Sequence, residues 1–125
     1  RVDCLVTDRS LRAALAGTVL VDTADTVIVF ETALPARLYV NPKYVRTDLL
    51  HRSTTTSYCN YKGYATYWSA ELDGNLFEDV AWSYEQPPPE TVPVQGYFSF
   101  DETRVDMIAE LPEKLGAAKD CGCEV

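Results

Sequence analysis

Two aromatic stretches that face each other across a turn signal constrain this chain most. Tyr58-Cys59-Asn60-Tyr61-Lys62-Gly63-Tyr64-Ala65-Thr66-Tyr67-Trp68 is answered by Ala81-Trp82-Ser83-Tyr84, with Leu72-Asp73-Gly74-Asn75 between them. Aromatic and β-branched residues suit a pleated, half-buried surface, and Asp-Gly supplies the positive φ that a type I′ turn needs. The stretch therefore reads as a β-hairpin. With Asp73-Gly74 as a two-residue turn, Leu72 pairs with Asn75, Tyr67 faces Val80, Ala65 faces Trp82 and Gly63 faces Tyr84. On the other face Trp68 lies across from Asp79, Thr66 from Ala81 and Lys62 from Glu85. Large rings beside Gly and Ala either seal a core or roof a slot. A bulge at Gly63 would exchange the faces below it.

The rest of the chain supplies more short strands. Leu11 to Leu15 alternates, turns at Ala16-Gly17 and resumes over Thr18 to Val21 as a second hairpin, although Ala and Leu leave helix as a rival for Ser10 to Leu15. Thr26 to Phe30 is β-branched and continuous, the mark of a well-buried strand. Arg37 to Val40 follows a Leu34-Pro35 break. Asn41-Pro42 fits an N-cap with a first-turn proline, so one short helical turn covers Pro42 to Val45. Residues 1–10 read as a lead-in, and the polar run from His51 to Ser57 as loop or strand entry. Pro87-Pro88-Pro89 gives a stiff extended connection. Gly96 to Phe100 is a late strand, and Val105 to Ile108 is strand or short helix. Seven to nine short strands with almost no helical period predict an all-β, mostly antiparallel domain over residues 1–110, with a tail at 111–125. A length of 125 residues fits one domain.

A net charge of −8 disfavours nucleic acid and anionic membrane surfaces as partners, because both need clustered Lys and Arg. No apolar run reaches the length of a membrane span, and no signal-peptide core opens the sequence, so the expected location is cytoplasmic. Cys4, Cys59, Cys121 and Cys123 are too few and too uneven for a disulfide framework. They form no paired C-x-x-C knuckles, so no zinc is expected.

The chemistry-bearing candidates are few. Lys62, the one cation in the aromatic stretch, is either a snorkelling partner of Glu85 or a pocket ammonium that stabilises an anion. Arg37, beside Tyr39, is either a bidentate anion clamp or one half of a surface ion pair. Asp48, flanked by Leu49 and Leu50, is the favoured acid–base carboxylate, since partial burial would raise its pKa. Cys59 reads as a buried small hydrophobe rather than a nucleophile, and the single His51 as solvated. Asp101, Glu102 and Asp106 read as a solvated turn. No Ser-His-Asp order, phosphate loop, dinucleotide fingerprint or H-E-x-x-H is present.

The strings at 58–69, Ala81-Trp82-Ser83-Tyr84-Glu85-Gln86-Pro87 and Leu34-Pro35-Ala36-Arg37-Leu38-Tyr39 resemble the family called domain of unknown function 427, also labelled nucleotidyltransferase domain 9. Its pattern is roughly C-P-Y-K-G-x-A-x-Y-W followed by A-W-S-Y-x-x-P. Asp48-Leu49-Leu50, Gly96 to Phe100 and Val105-Asp106 also fall where that pattern has them. Arg1-Val2-Asp3 and Ser10 to Asp22 are similar to the lead-in of the second copy in tandem bacterial members. Asn60 stands where the family usually has proline, and the tail from Pro112 has no counterpart. The resemblance implies a small curved antiparallel sheet domain of the Mss4-like or β-tent kind. The zinc of that group does not carry over without its knuckle cysteines. The nucleotidyltransferase label is unsupported, for no Gly-Ser followed by an Asp-x-Asp pair is present to hold two metal ions.

The expected function is thus a cofactor-independent enzyme of the isomerase, cyclase or lyase type acting on a small organic molecule. Tyr39, Tyr61, Trp68, Trp82 and Tyr84 would bind the substrate, with Lys62, Arg37 and Asp48 catalytic. A non-catalytic module that binds a ligand or peptide is the alternative.

Overall fold

The computed structural model describes residues 1–59 and 61–111. The paired cysteines of the tail, Cys121 and Cys123, lie outside that range. Ten strands form: β1 (Val2–Thr7), β2 (Leu11–Leu15), β3 (Thr18–Thr23), β4 (Thr26–Glu31), β5 (Arg37–Val40), β6 (Leu50–Cys59), β7 (Gly63–Leu72), β8 (Asn75–Tyr84), β9 (Phe98–Phe100) and β10 (Asp106–Ala109). They make a seven-stranded sheet in the order β1-β4-β5-β9-β8-β7-β6 and a three-stranded sheet in the order β10-β2-β3. Every strand pairing is antiparallel. The domain is all-β, and among the described residues its helical content is confined to 3-10 turns at Pro42–Tyr44, Thr47–Leu49 and Pro89–Val94. The Asn41 side chain caps the first of these by accepting from the Lys43 amide, as the Asn-Pro pair predicts.

Strand alternation sorts the large sheet into two apolar faces. Ile28, Leu38, Val40, Ala81, Phe98 and Phe100 point toward Leu11, Ala13, Leu20 and Val21 of the small sheet, and together they form the main core. Val27, Val29, Tyr39, Ala65 and Tyr84 point the other way and pack with Val94 of the Pro89–Val94 turn. The stiff connection expected at Pro87 to Pro89 therefore leads into a turn that covers part of the second face. Two strands went unread in the sequence. The lead-in is in fact β1, the edge partner of β4, and the polar run after His51 is the ten-residue edge strand β6.

The central hairpin forms on the expected turn, with Asp73 and Gly74 both at positive φ and Leu72 opposite Asn75. Beyond it the register departs from the simple count. Ala70 pairs with Phe77 and Trp68 with Ala81, so Glu78, Asp79 and Val80 all stand against Ser69. Asp79 takes a φ of 52°, and its amide donates to the Ser69 hydroxyl at 3.1 Å. The slack is two residues long. Tyr67 consequently faces Trp82 rather than Val80, and Ala65 faces Tyr84 rather than Trp82. An even shift leaves each ring on the side that alternation assigns it.

Candidate functional site

On the second face of the large sheet lies a cavity of about 210 Å³, lined by Glu31, Leu34, Pro35, Arg37, Tyr39, Lys62, Tyr67, Trp82 and Tyr84. Its floor is built by strand pairing. Trp82 sits opposite Ser99 of β9, a residue small enough for the indole to reach over toward β5. There the Trp82 Nε1 donates to the Tyr39 hydroxyl at 3.1 Å. Tyr67 stands beside Trp82 with ring centroids 6.3 Å apart, and its hydroxyl shares a 3.0 Å bond with that of Ser57.

Lys62 enters from the β6–β7 connection. Its amide donates to the Cys59 carbonyl at 3.3 Å, and the Thr91 hydroxyl donates to the Tyr61 carbonyl at 3.0 Å. Gly63 follows at a φ of 86°, close against the Gln86 carbonyl and the Pro87-Pro88 pair. So anchored, the lysine side chain turns inward, 7% exposed, and its ammonium meets the carboxylate of Glu31, also 7% exposed. The ammonium lies 5.3 Å from the centre of the Tyr84 ring and 5.9 Å from that of Tyr39, where ring faces favour a cation. The Cys59 thiol approaches the other Glu31 oxygen at 3.6 Å. Glu31 belongs to β4 and Lys62 precedes β7, strands that β5, β9 and β8 separate in the sheet order.

Arg37 stands at the rim. Its guanidinium stacks 4.9 Å from the Trp82 ring centre and bonds Glu102 at 3.1 Å. That pair is half-open to solvent, whereas Lys62–Glu31 is closed. Burial pushes the phenols of Tyr39 and Tyr84 well above the ordinary tyrosine range, so both are neutral donors at any moderate pH.

Five of the eight residues expected at the site therefore meet there: Arg37, Tyr39, Lys62, Trp82 and Tyr84. Lys62 does not snorkel toward Glu85, which instead holds Arg52 through two bonds of 3.1 and 3.0 Å. Asp48 is not among the lining residues. It lies in an exposed turn, where the Arg46 guanidinium holds its carboxyl below the usual range, opposite to the expected rise. Tyr61 is exposed and contributes its backbone carbonyl to the fold. Trp68 remains on the core side, edge-on to Phe98 and under the Arg52 guanidinium. The carboxylate that reasoning missed is Glu31. Its signal was available, because Val27, Val29 and Glu31 share one side of β4. Among the described residues, no three His, Cys, Asp or Glu side chains are placed to share a metal ion.

Fold and site together define a small all-β domain with an aromatic cavity holding one buried ion pair. The chain belongs to the family described as Domain of unknown function (DUF427), whose pattern matches residues 3–111. No curated protein matches the chain.

Proposed function

We propose that this domain is a cofactor-independent enzyme that moves a proton on a small organic molecule, in the manner of an isomerase, cyclase or lyase. The observation that carries this reading is the Lys62–Glu31 pair, two side chains 7% exposed on the wall of an aromatic cavity. A buried ion pair adds little to stability compared with apolar packing, so its presence beside open space calls for a chemical purpose. Glu31 takes the proton-abstracting role that the sequence alone suggests for Asp48. Lys62 and the neutral hydroxyls of Tyr39 and Tyr84 stabilise the oxygen on which charge develops. Tyr67, Trp82 and Tyr84 enclose the apolar body, and Arg37 holds an anionic end. The acidic chain argues for such a soluble small molecule over nucleic acid or an anionic membrane surface.

The test is deuterium wash-in from D₂O into a panel of small oxo acids, ketones and lactones, followed by proton NMR. One class should exchange, and Glu31→Gln should slow it by about 100-fold or more. Because removing one buried charge alone can unfold the site, a Glu31→Gln/Lys62→Met double variant serves as the folded control. Exchange that persists undiminished in the double variant would refute the reading. A second reading, a binding module without turnover, is favoured by one observation: Lys62 and Glu31 already satisfy each other, as in a finished binding wall. It predicts that a panel member perturbs Trp82 fluorescence while none exchanges.

A further inference from the structure

We infer that Lys62 acts as a nucleophile, forming an imine with the carbonyl of a small oxo acid whose carboxylate is received by Arg37; this rests on the proton-transfer reading and names its substrate class. Three observations converge on it. Of the two lysines among the described residues, Lys43 is exposed, whereas Lys62 is buried at a cavity wall. Arginine, with its fixed fork and permanent charge, is the better partner for a purely structural buried carboxylate; lysine is the cation that can give up its proton there. The base to accept that proton is already in contact, as Glu31. Lastly, the cation at the rim, Arg37, is stacked on Trp82 and bonded to Glu102, whose side chain is 52% exposed. A ligand carboxylate can take that place and engage both arms of the guanidinium fork, where Glu102 uses one.

The step balances without a cofactor. Glu31 takes one proton from the Lys62 ammonium. The freed Nζ lone pair attacks the carbonyl carbon, a C–N bond forms, and the C=O π pair moves to oxygen, which then takes a proton from the nitrogen. Glu31 returns its proton to that oxygen, the C–O bond breaks, and water leaves as the nitrogen lone pair closes the C=N bond. Ammonium plus carbonyl has become iminium plus water, with nothing oxidised or reduced. Glu31, again a carboxylate beside a cationic C=N, is then placed to remove a proton from the adjacent carbon. The rings of Tyr39 and Tyr84 favour the iminium as they favour the ammonium.

Reductive trapping tests this on the full chain, which contains only four lysines, at 43, 62, 114 and 119. The protein is incubated with pyruvate and sodium cyanoborohydride, then read by intact mass and peptide mapping. One adduct is expected, at Lys62, formed at least tenfold faster than at Lys43. It should vanish in Lys62→Arg, with thermal melting confirming that this variant is folded. Arg37→Met should slow pyruvate labelling about tenfold more than labelling by propanal, which lacks the carboxylate. Labelling spread evenly over the lysines, or unchanged in Lys62→Arg, overturns the inference. So does deuterium wash-in without any trapped adduct, which leaves the proton-transfer reading standing with Lys62 as an oxyanion donor. Loss of both trapping and wash-in defeats the two together.

Discussion

Tyr39 and Tyr84 differ from the other tyrosines in a way that absorbance can read. Tyr58 and Tyr64 stack edge to face on the surface with centroids 5.0 Å apart, exposed to water. The two cavity phenols are raised by burial, Tyr84 further by Tyr39 beside it. Their neutral form is favoured in the folded state, so this stabilisation is complete below the ordinary tyrosine value near 10 and is lost as pH rises toward the folded one. In an alkaline titration followed by ultraviolet absorbance, Tyr39 and Tyr84 should stay silent until the protein unfolds. Eight tyrosines ionising together in a folded protein would contradict the buried geometry. The same local physics decided what was legible. Arg37 and Lys62 stood out because cations amid rings are conspicuous. Glu31 did not, because an acid at the end of an apolar strand looks like a solvated terminus. Asp48 misled because its apolar neighbours, Leu49 and Leu50, turn inward while it does not.

At the level of elements, the turn that delivers Lys62 is the most demanding. A methyl at Gly63 would meet the Gln86 carbonyl oxygen at 3.3 Å in a backbone conformation of positive φ. Gly74 has a similar φ with nothing within 4 Å. Gly74→Ala should therefore cost about 1 kcal/mol from the backbone alone. Gly63→Ala should cost roughly 1–3 kcal/mol and slow any cavity chemistry, since the lysine shifts with the turn. Chemical denaturation of the two variants checks this, and equal losses would show that the approach to residue 86 is not tight. The Asp73-Gly74 turn and its first pairs were readable because turn chemistry is local. The slack at Glu78 to Val80 was not, as it depends on how Asp79 meets Ser69 and Thr55 across the ladder. Strand β6 was hidden for a related reason: its Ser and Thr residues form a strand because β7 offers them an edge.

For the molecule as a whole, alternation and turn spacing made the all-β class legible, and Pro42–Tyr44 was found at its cap. The division into two sheets was not, because nothing local tells the β2–β3 hairpin to cover the face carrying Leu38 and Ala81. Charge acts at this scale too. Arg52 holds the Glu85 carboxyl below its ordinary range, and a backbone hydrogen bond, followed by Arg37, does the same for Glu102. Lowered carboxyls contribute stability that is fully present above the unfolded value near 4 and disappears as pH falls through the folded one. Melting temperature should therefore hold through neutrality and fall below about pH 4. Glu85→Gln should flatten part of that decline; a slope identical to the parent's would show the Arg52 pair to be energetically idle.

The contact between Lys62 and Glu31 also says something about shape. Four inter-strand steps of about 4.8 Å would hold β4 and β7 roughly 19 Å apart in a flat sheet, farther than these two side chains can span. Lys62 closes that distance by reaching back from the turn before β7 over the curved sheet, and the hollow lies beneath the bridge the two side chains make. Anything wedged between amine and carboxylate thus opens the bridge that joins the β6–β7 turn to the far end of β4, so a guest is felt on both sides of the hollow.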